Sequence, residues 1–88
     1  MRRYFVYLLR CNDNSLYTGW TTDLEKRLLA HNKGNASKYT RARRPVSMVY
    51  NEEFETKQDA MRREYEIKTW NRDKKLGLIN TLMQTALC

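Results

Sequence analysis

The chain has 88 residues and lacks most of what marks a secreted, zinc-bound or membrane protein. Two cysteines occur, Cys11 and Cys88, and they form neither a CxxC pair nor a Cys/His cluster. That argues against a disulfide framework and against a structural zinc site, leaving Cys11 as a packing residue and Cys88 as an exposed thiol. No apolar run approaches the roughly 20 residues that cross a bilayer, and Met1-Arg2-Arg3-Tyr4 leads straight into a strand-like segment with no signal-peptide cleavage pattern. A soluble, cytoplasmic protein is expected. Repeats, linkers and low-complexity stretches are also missing, so residues 1–88 are read as one domain with one core.

Acidic residues are scarce too: 10 Asp and Glu stand against 17 Lys and Arg, a formal net charge of +7. The excess calls for a polyanionic partner, and nucleic acid is the default. The basic residues are spread over loops and several helices and do not form one face of a long amphipathic helix, which sets an anionic membrane surface aside. One basic segment stands out, Lys33 to Arg44, where Lys33, Lys38, Arg41, Arg43 and Arg44 are interleaved with Tyr39. Such a loop is suited to tracking a phosphate backbone, and its bland alternative is an ordinary solvated basic loop.

Tyr4 to Arg10 and Leu16 to Thr21 are rich in aromatic and aliphatic residues and flank the turn formers Asn12-Asp13-Asn14-Ser15. The pair reads as a β-hairpin, and an antiparallel pairing without a bulge puts Tyr7, Tyr17 and Gly19 on one face. Thr22-Asp23-Leu24-Glu25 fits a capping box that starts a helix running to about Asn32. On that helix Leu24 and Leu28 point to the core, and Arg27 and His31, spaced i and i+4, form a polar row beside them. Lys33 to Arg44 is read as a loop with a helical turn around Lys38, and Val46 to Tyr50 as a short third strand.

Thr56, with Asp59 three residues on, caps the next helix, whose inward stripe reads Ala60, Met61, Glu64 and Ile67 with Lys68 at its edge. A carboxylate in the middle of an apolar stripe is costly unless a cation, a metal or a cluster of donors meets it. Glu64 therefore marks a site, or else it pairs at the rim with Lys68 or Arg63. A last helix from about Arg72 carries Leu76, Ile79, Leu82 and Met83 inward. The order β-β-α-loop-β-α-α describes an α+β fold, a three-stranded antiparallel sheet covered by helices.

With these residues in place the chain resembles the GIY-YIG nuclease superfamily, specifically its short single-domain bacterial members. Phe5-Val6-Tyr7 stands in the place of the first triplet and Tyr17-Thr18-Gly19 in that of the second. Arg27 follows on the next helix, His31 one turn later, and Glu64 closes the AxxxE segment Ala60-Met61-Arg62-Arg63-Glu64. The departures are Phe5 for the first glycine, Val6 and Thr18 for the isoleucines, and Trp20 where some repair members carry lysine.

The resemblance implies a metal-dependent endonuclease that hydrolyses phosphodiesters in DNA, structure- rather than sequence-selective and associated with DNA repair. Glu64 would hold one divalent cation, Mg²⁺ or Mn²⁺, since one carboxylate plus waters suits an ion that keeps much of its hydration shell. Arg27 would clamp the phosphate, Tyr7 or Tyr17 would act as general base or position the water, and His31 would relay a proton or hold a phosphate. Gly19 would be structural at the site. Duller readings remain for each: packing for the tyrosines, an Asp23 partner for Arg27, the helix C-terminal dipole for His31, a bulge for Gly19. The alternative function is a nucleic-acid-binding module, on DNA or RNA, that uses the same cleft and basic loop with little or no cleavage. An adaptor docking on a protein partner, or a partner that supplies targeting, is a further expectation.

Overall fold

The computed structural model describes residues 3–87, with side chains described as far as Thr81. Cys88, and the side chains of Leu82 and Met83, lie outside the described residues. Strands β1 (Tyr4–Arg10) and β2 (Leu16–Thr21) form the hairpin, followed by helices α1 (Leu24–Lys33) and α2 (Lys38–Arg41). Strand β3 (Ser47–Phe54) and helices α3 (Lys57–Lys68) and α4 (Arg72–Leu87) complete the order. The three strands make an antiparallel sheet in the order β2-β1-β3. This is the α+β architecture that the sequence predicts.

The central strand explains the layering. Val6, Tyr7, Leu8 and Leu9 are all buried, so both faces of β1 are covered. Val6 and Leu8 pack with Ala60, Ile67 and Ile79 of α3 and α4. Tyr7 and Leu9, on the other face, pack with Cys11, Val46, Leu24 and Leu28. Helix α1 thus lies on one side of the sheet and helices α3 and α4 on the other. The hairpin register sets Tyr7 opposite Gly19 and Leu9 opposite Tyr17, as the odd-residue face requires.

Four local readings are corrected. The N-cap of α1 is Asp23, not Thr22: its carboxylate accepts the Lys26 N–H at 3.0 Å, while the Thr21 hydroxyl accepts the Asp23 N–H. Strand β3 runs four residues beyond Tyr50, to Phe54. Its Glu52 faces α3, where Arg63 takes it in a fork at 2.9 and 3.0 Å and the Tyr50 hydroxyl donates to it at 2.6 Å, so an acidic residue is accommodated in a sheet. Met61 is 45% exposed and not part of the inward stripe, because α3 turns Ala60 and Ile67 to the sheet. The helix dipole does not hold His31, whose ring turns into the core. Helix α1 ends on Gly34 at φ 85°, a conformation that glycine adopts without strain.

Candidate active site

The site is built around the Tyr7 phenol. Tyr7 lies flat across the position opposite it on β2, and a Cβ at Gly19 would stand 2.6 Å from its Cζ and closer still to its hydroxyl. Gly19 is therefore the gap into which the ring fits. The hydroxyl reaches His31 Nε2 at 2.8 Å. His31 is 1% exposed, and its other nitrogen, Nδ1, meets the Thr40 hydroxyl of α2 at 2.7 Å. Both ring nitrogens are thus engaged inside the protein, which leaves His31 no open edge for a phosphate and fits it to pass a proton.

Tyr17 is half-buried beside this chain. Its ring meets the His31 ring edge-on at 5.2 Å, and Tyr39 stacks on Tyr17 at 5.9 Å. The Arg43 guanidinium lies 3.9 Å over the Tyr39 ring and is held by Asp13 at 3.0 Å. Arg43 is thereby committed to tying the hairpin loop to the segment after α2, whose Arg43 carbonyl also accepts the Asn12 N–H. Lys33, Lys38, Arg41 and Arg44 remain exposed. Arg41 and Arg44 line an open groove of about 540 Å³ with Asn32, Ala42 and Pro45.

Electrostatics bring in the other two residues. Burial pushes the Tyr7 phenol far above its usual range; the Tyr17 phenol adds to the rise, the Arg27 guanidinium opposes it and the Glu64 carboxylate adds again. Burial and then the Arg27 charge hold His31 below its usual value. Arg27 therefore acts on both ends of the Tyr7–His31 bond. It lines a cleft of about 290 Å³ with Thr21, Thr22, Asp23, Lys26 and Ala30. The Asp23 carboxylate is spent on the helix cap, and among the described residues no ion pair involves Arg27.

Glu64 comes from α3, the helix whose Ala60 and Ile67 pack on the Val6 and Leu8 side of the sheet. It is tied to the rest of the site by its field on Tyr7 and not by a direct hydrogen bond. Its side chain is 18% exposed and pairs with Lys68 at 3.4 Å, whereas Arg63 is taken by Glu52 and Glu66. Among the described residues no group of three or more His, Cys, Asp or Glu is arranged to hold a metal ion. A lone, partly open carboxylate fits one hydrated divalent ion and nothing tighter, with Lys68 as the cation it would displace. Trp20 faces the α3 side, where Lys57 Nζ stands 5.6 Å over its ring. Thr40 was not foreshadowed by the sequence, where it is one hydroxyl in a basic loop and nothing marks it as buried.

The model of the GIY-YIG catalytic domain matches residues 3–77 of the chain. The chain belongs to the GIY-YIG family. It is 54% identical over 80 residues to a UPF0213 protein of Staphylococcus saprophyticus, covering 91% of this chain and 98% of that one. It is 56% identical over 79 residues to a UPF0213 protein of Staphylococcus haemolyticus, covering 90% and 96%. Among solved structures, a UPF0213 protein from Bacillus halodurans is similar at 44% identity and a TM-score of 0.59, covering 90% of this chain and 84% of that chain. An E. faecalis protein is similar at 37% identity and a TM-score of 0.64, covering 96% and 90%. This GIY-YIG chain is therefore of a nuclease-type family, and no helix among its described residues is long and apolar enough to cross a membrane.

Proposed function

We propose that this GIY-YIG domain is a divalent-metal-dependent endonuclease that hydrolyses phosphodiesters in DNA, selecting structure and not sequence. The observation that carries the reading is the buried Tyr7–His31 bond, whose phenol feels both the Arg27 charge and the Glu64 carboxylate. Hydrolysis needs a water that loses a proton, a phosphate whose growing charge is met, and a stabilised leaving oxygen. Arg27, with no ion pair among the described residues and set in a cleft, clamps the non-bridging phosphate oxygens. Tyr7 takes the water's proton as it passes its own to His31, in one concerted shift, because burial holds the phenol high and the imidazole low and so disfavours a free phenolate; Tyr17, wedged between His31 and Tyr39, positions the water. Glu64 would hold the Mg²⁺ or Mn²⁺ ion, which when bound supplies charge for the phosphate and leaving oxygen. Arg41 and Arg44, in their open groove, with Lys33 and Lys38, track the backbone.

A second reading, binding of DNA or RNA without cleavage, is favoured by one observation: Glu64 is already neutralised by Lys68. A nuclease assay on single-stranded, nicked, flapped and branched DNA with Mg²⁺ or Mn²⁺, with an RNA control, separates the two. Cleavage that depends on metal and disappears in Glu64→Ala supports the enzyme. Cleavage that survives Glu64→Ala points to a contaminant, and binding with no wild-type cleavage supports the binding module.

A further inference from the structure

Tyr7, His31 and Thr40 are each almost fully buried, so in the free protein, before a substrate and its water reach Tyr7, every polar hydrogen among them needs an acceptor inside the protein. Two arrangements of hydrogens fit the positions. In one, Tyr7 O–H donates to His31 Nε2, His31 Nδ1–H donates to Thr40 Oγ1, and the Thr40 hydroxyl donates to the Ser37 carbonyl oxygen at 3.4 Å. Thr40 Oγ1 also stands 3.1 Å from Ser37 Oγ, whose hydrogen it can accept. Every hydrogen then has a partner. In the other, Thr40 donates to Nδ1 and Nε2–H donates to Tyr7, and the buried Tyr7 O–H is left with no acceptor among the described residues. An orphaned buried hydroxyl is costly, so the first arrangement is preferred.

We propose that Thr40 is a positioning residue that holds His31 in its Nδ1–H form, leaving Nε2 free to take the Tyr7 proton. The place of Thr40 is itself fixed by Ser37, which caps α2 and accepts the Thr40 N–H at 3.1 Å. As a step in catalysis this rests on the nuclease reading; the hydrogen arrangement does not. When water attacks, its oxygen bonds to phosphorus and its proton goes to Tyr7. The Tyr7 O–H bond breaks as N–H forms at His31 Nε2. The resulting imidazolium keeps its Nδ1–H on Thr40, the bond from phosphorus to the leaving oxygen breaks, and that oxygen takes a proton from solvent. Thr40 neither gains nor loses a proton.

His31 is the one histidine of the chain, so a long-range ¹H–¹⁵N spectrum reads its tautomer without ambiguity. The wild type should be protonated at Nδ1 and bare at Nε2. Thr40→Ser should keep that form, whereas Thr40→Val, which keeps the shape and removes the hydroxyl, should shift the ring towards Nε2–H. In the cleavage assay Thr40→Val should lower kcat by about 10²-fold with KM little changed, and Thr40→Ser should restore it. A wild-type ring protonated at Nε2 overturns the proposal, and this outcome needs no variant to fold. A folded Thr40→Val with wild-type tautomer and rate overturns it as well. If the tautomers behave as stated but the wild type cleaves nothing, the nuclease reading fails and the assignment of Thr40 stands.

Discussion

Tyr7 and Gly19 are cross-strand partners in which one side chain occupies the space of both: the phenol rests where a Cβ on residue 19 would be. The contact holds the hydroxyl at its 2.8 Å distance from His31. Gly19→Ala should therefore push the ring aside and break that bond. The expected cost is about 1–3 kcal/mol, as for overpacking a filled core. Urea denaturation checks it, and the His31 ring resonances should move in the same variant.

The Glu64–Lys68 pair sets the next test. Glu64→Ala should abolish metal-dependent cleavage yet change stability by no more than about 1 kcal/mol, since the pair is partly open to solvent. Lys68→Ala should do the reverse to the metal. With its competing cation gone, Glu64 should bind Mn²⁺ about two- to five-fold more tightly, the scale of a partly exposed ion pair. Titration followed by paramagnetic broadening measures this, and broadening centred on Asp13 or Glu52 would refute the assignment.

Binding and chemistry should separate along the arginines. Arg41→Ala with Arg44→Ala removes up to two phosphate contacts, so the slope of log K against log salt on duplex DNA should shrink by up to about 1.8. Arg27→Ala should leave most of that slope and lose cleavage, because on the proposed mechanism its charge meets one reacting phosphate. Arg43→Ala should behave differently from both. It frees Asp13 and uncovers Tyr39, so its main effect should be on thermal stability.

Stability should also depend on pH through His31. Burial and Arg27 hold the folded ring below its ordinary value, whereas the unfolded chain accepts a proton near pH ~6.5. The contribution is therefore complete above that pH and is lost as pH falls towards the folded value. Urea midpoints at about pH 7.5 and about pH 5.5 should differ in that direction for the wild type, and the His31-dependent part should vanish in His31→Gln.

Gly77 offers a prediction free of the site. It lies exposed inside α4, and nothing stands within 4 Å of a Cβ added there. Gly77→Ala should stabilise the protein by about 1 kcal/mol through helix propensity alone, with cleavage unchanged. A calorimetric scan decides it.

The hairpin, the three longer helices and the odd-residue face of Tyr7, Tyr17 and Gly19 were legible in the sequence because each rests on local spacing: turn formers between apolar runs, i and i+4 rows, and a period of two. Local spacing also misled. The polar Asn51-Glu52-Glu53 run looked like the end of a strand, yet Arg63 and Tyr50 give Glu52 its partners and β3 continues. Thr22 looked like the helix cap, but Thr21 binds the Asp23 backbone and the cap moves one residue on.

The sequence by itself determined the elements, their order and the list of chemically able residues, since these follow from patterns within about a dozen neighbours. Tertiary structure alone decided which of them meet. Glu64 bears on Tyr7 from a helix more than fifty residues away in sequence, Arg43 is diverted to Asp13, and Thr40 becomes the partner of His31 across nine residues of chain. Each of these depends on burial and on the competition among charges for partners. A hydroxyl or a guanidinium carries no local mark of either, because desolvation and pairing are set by the residues the fold packs around it.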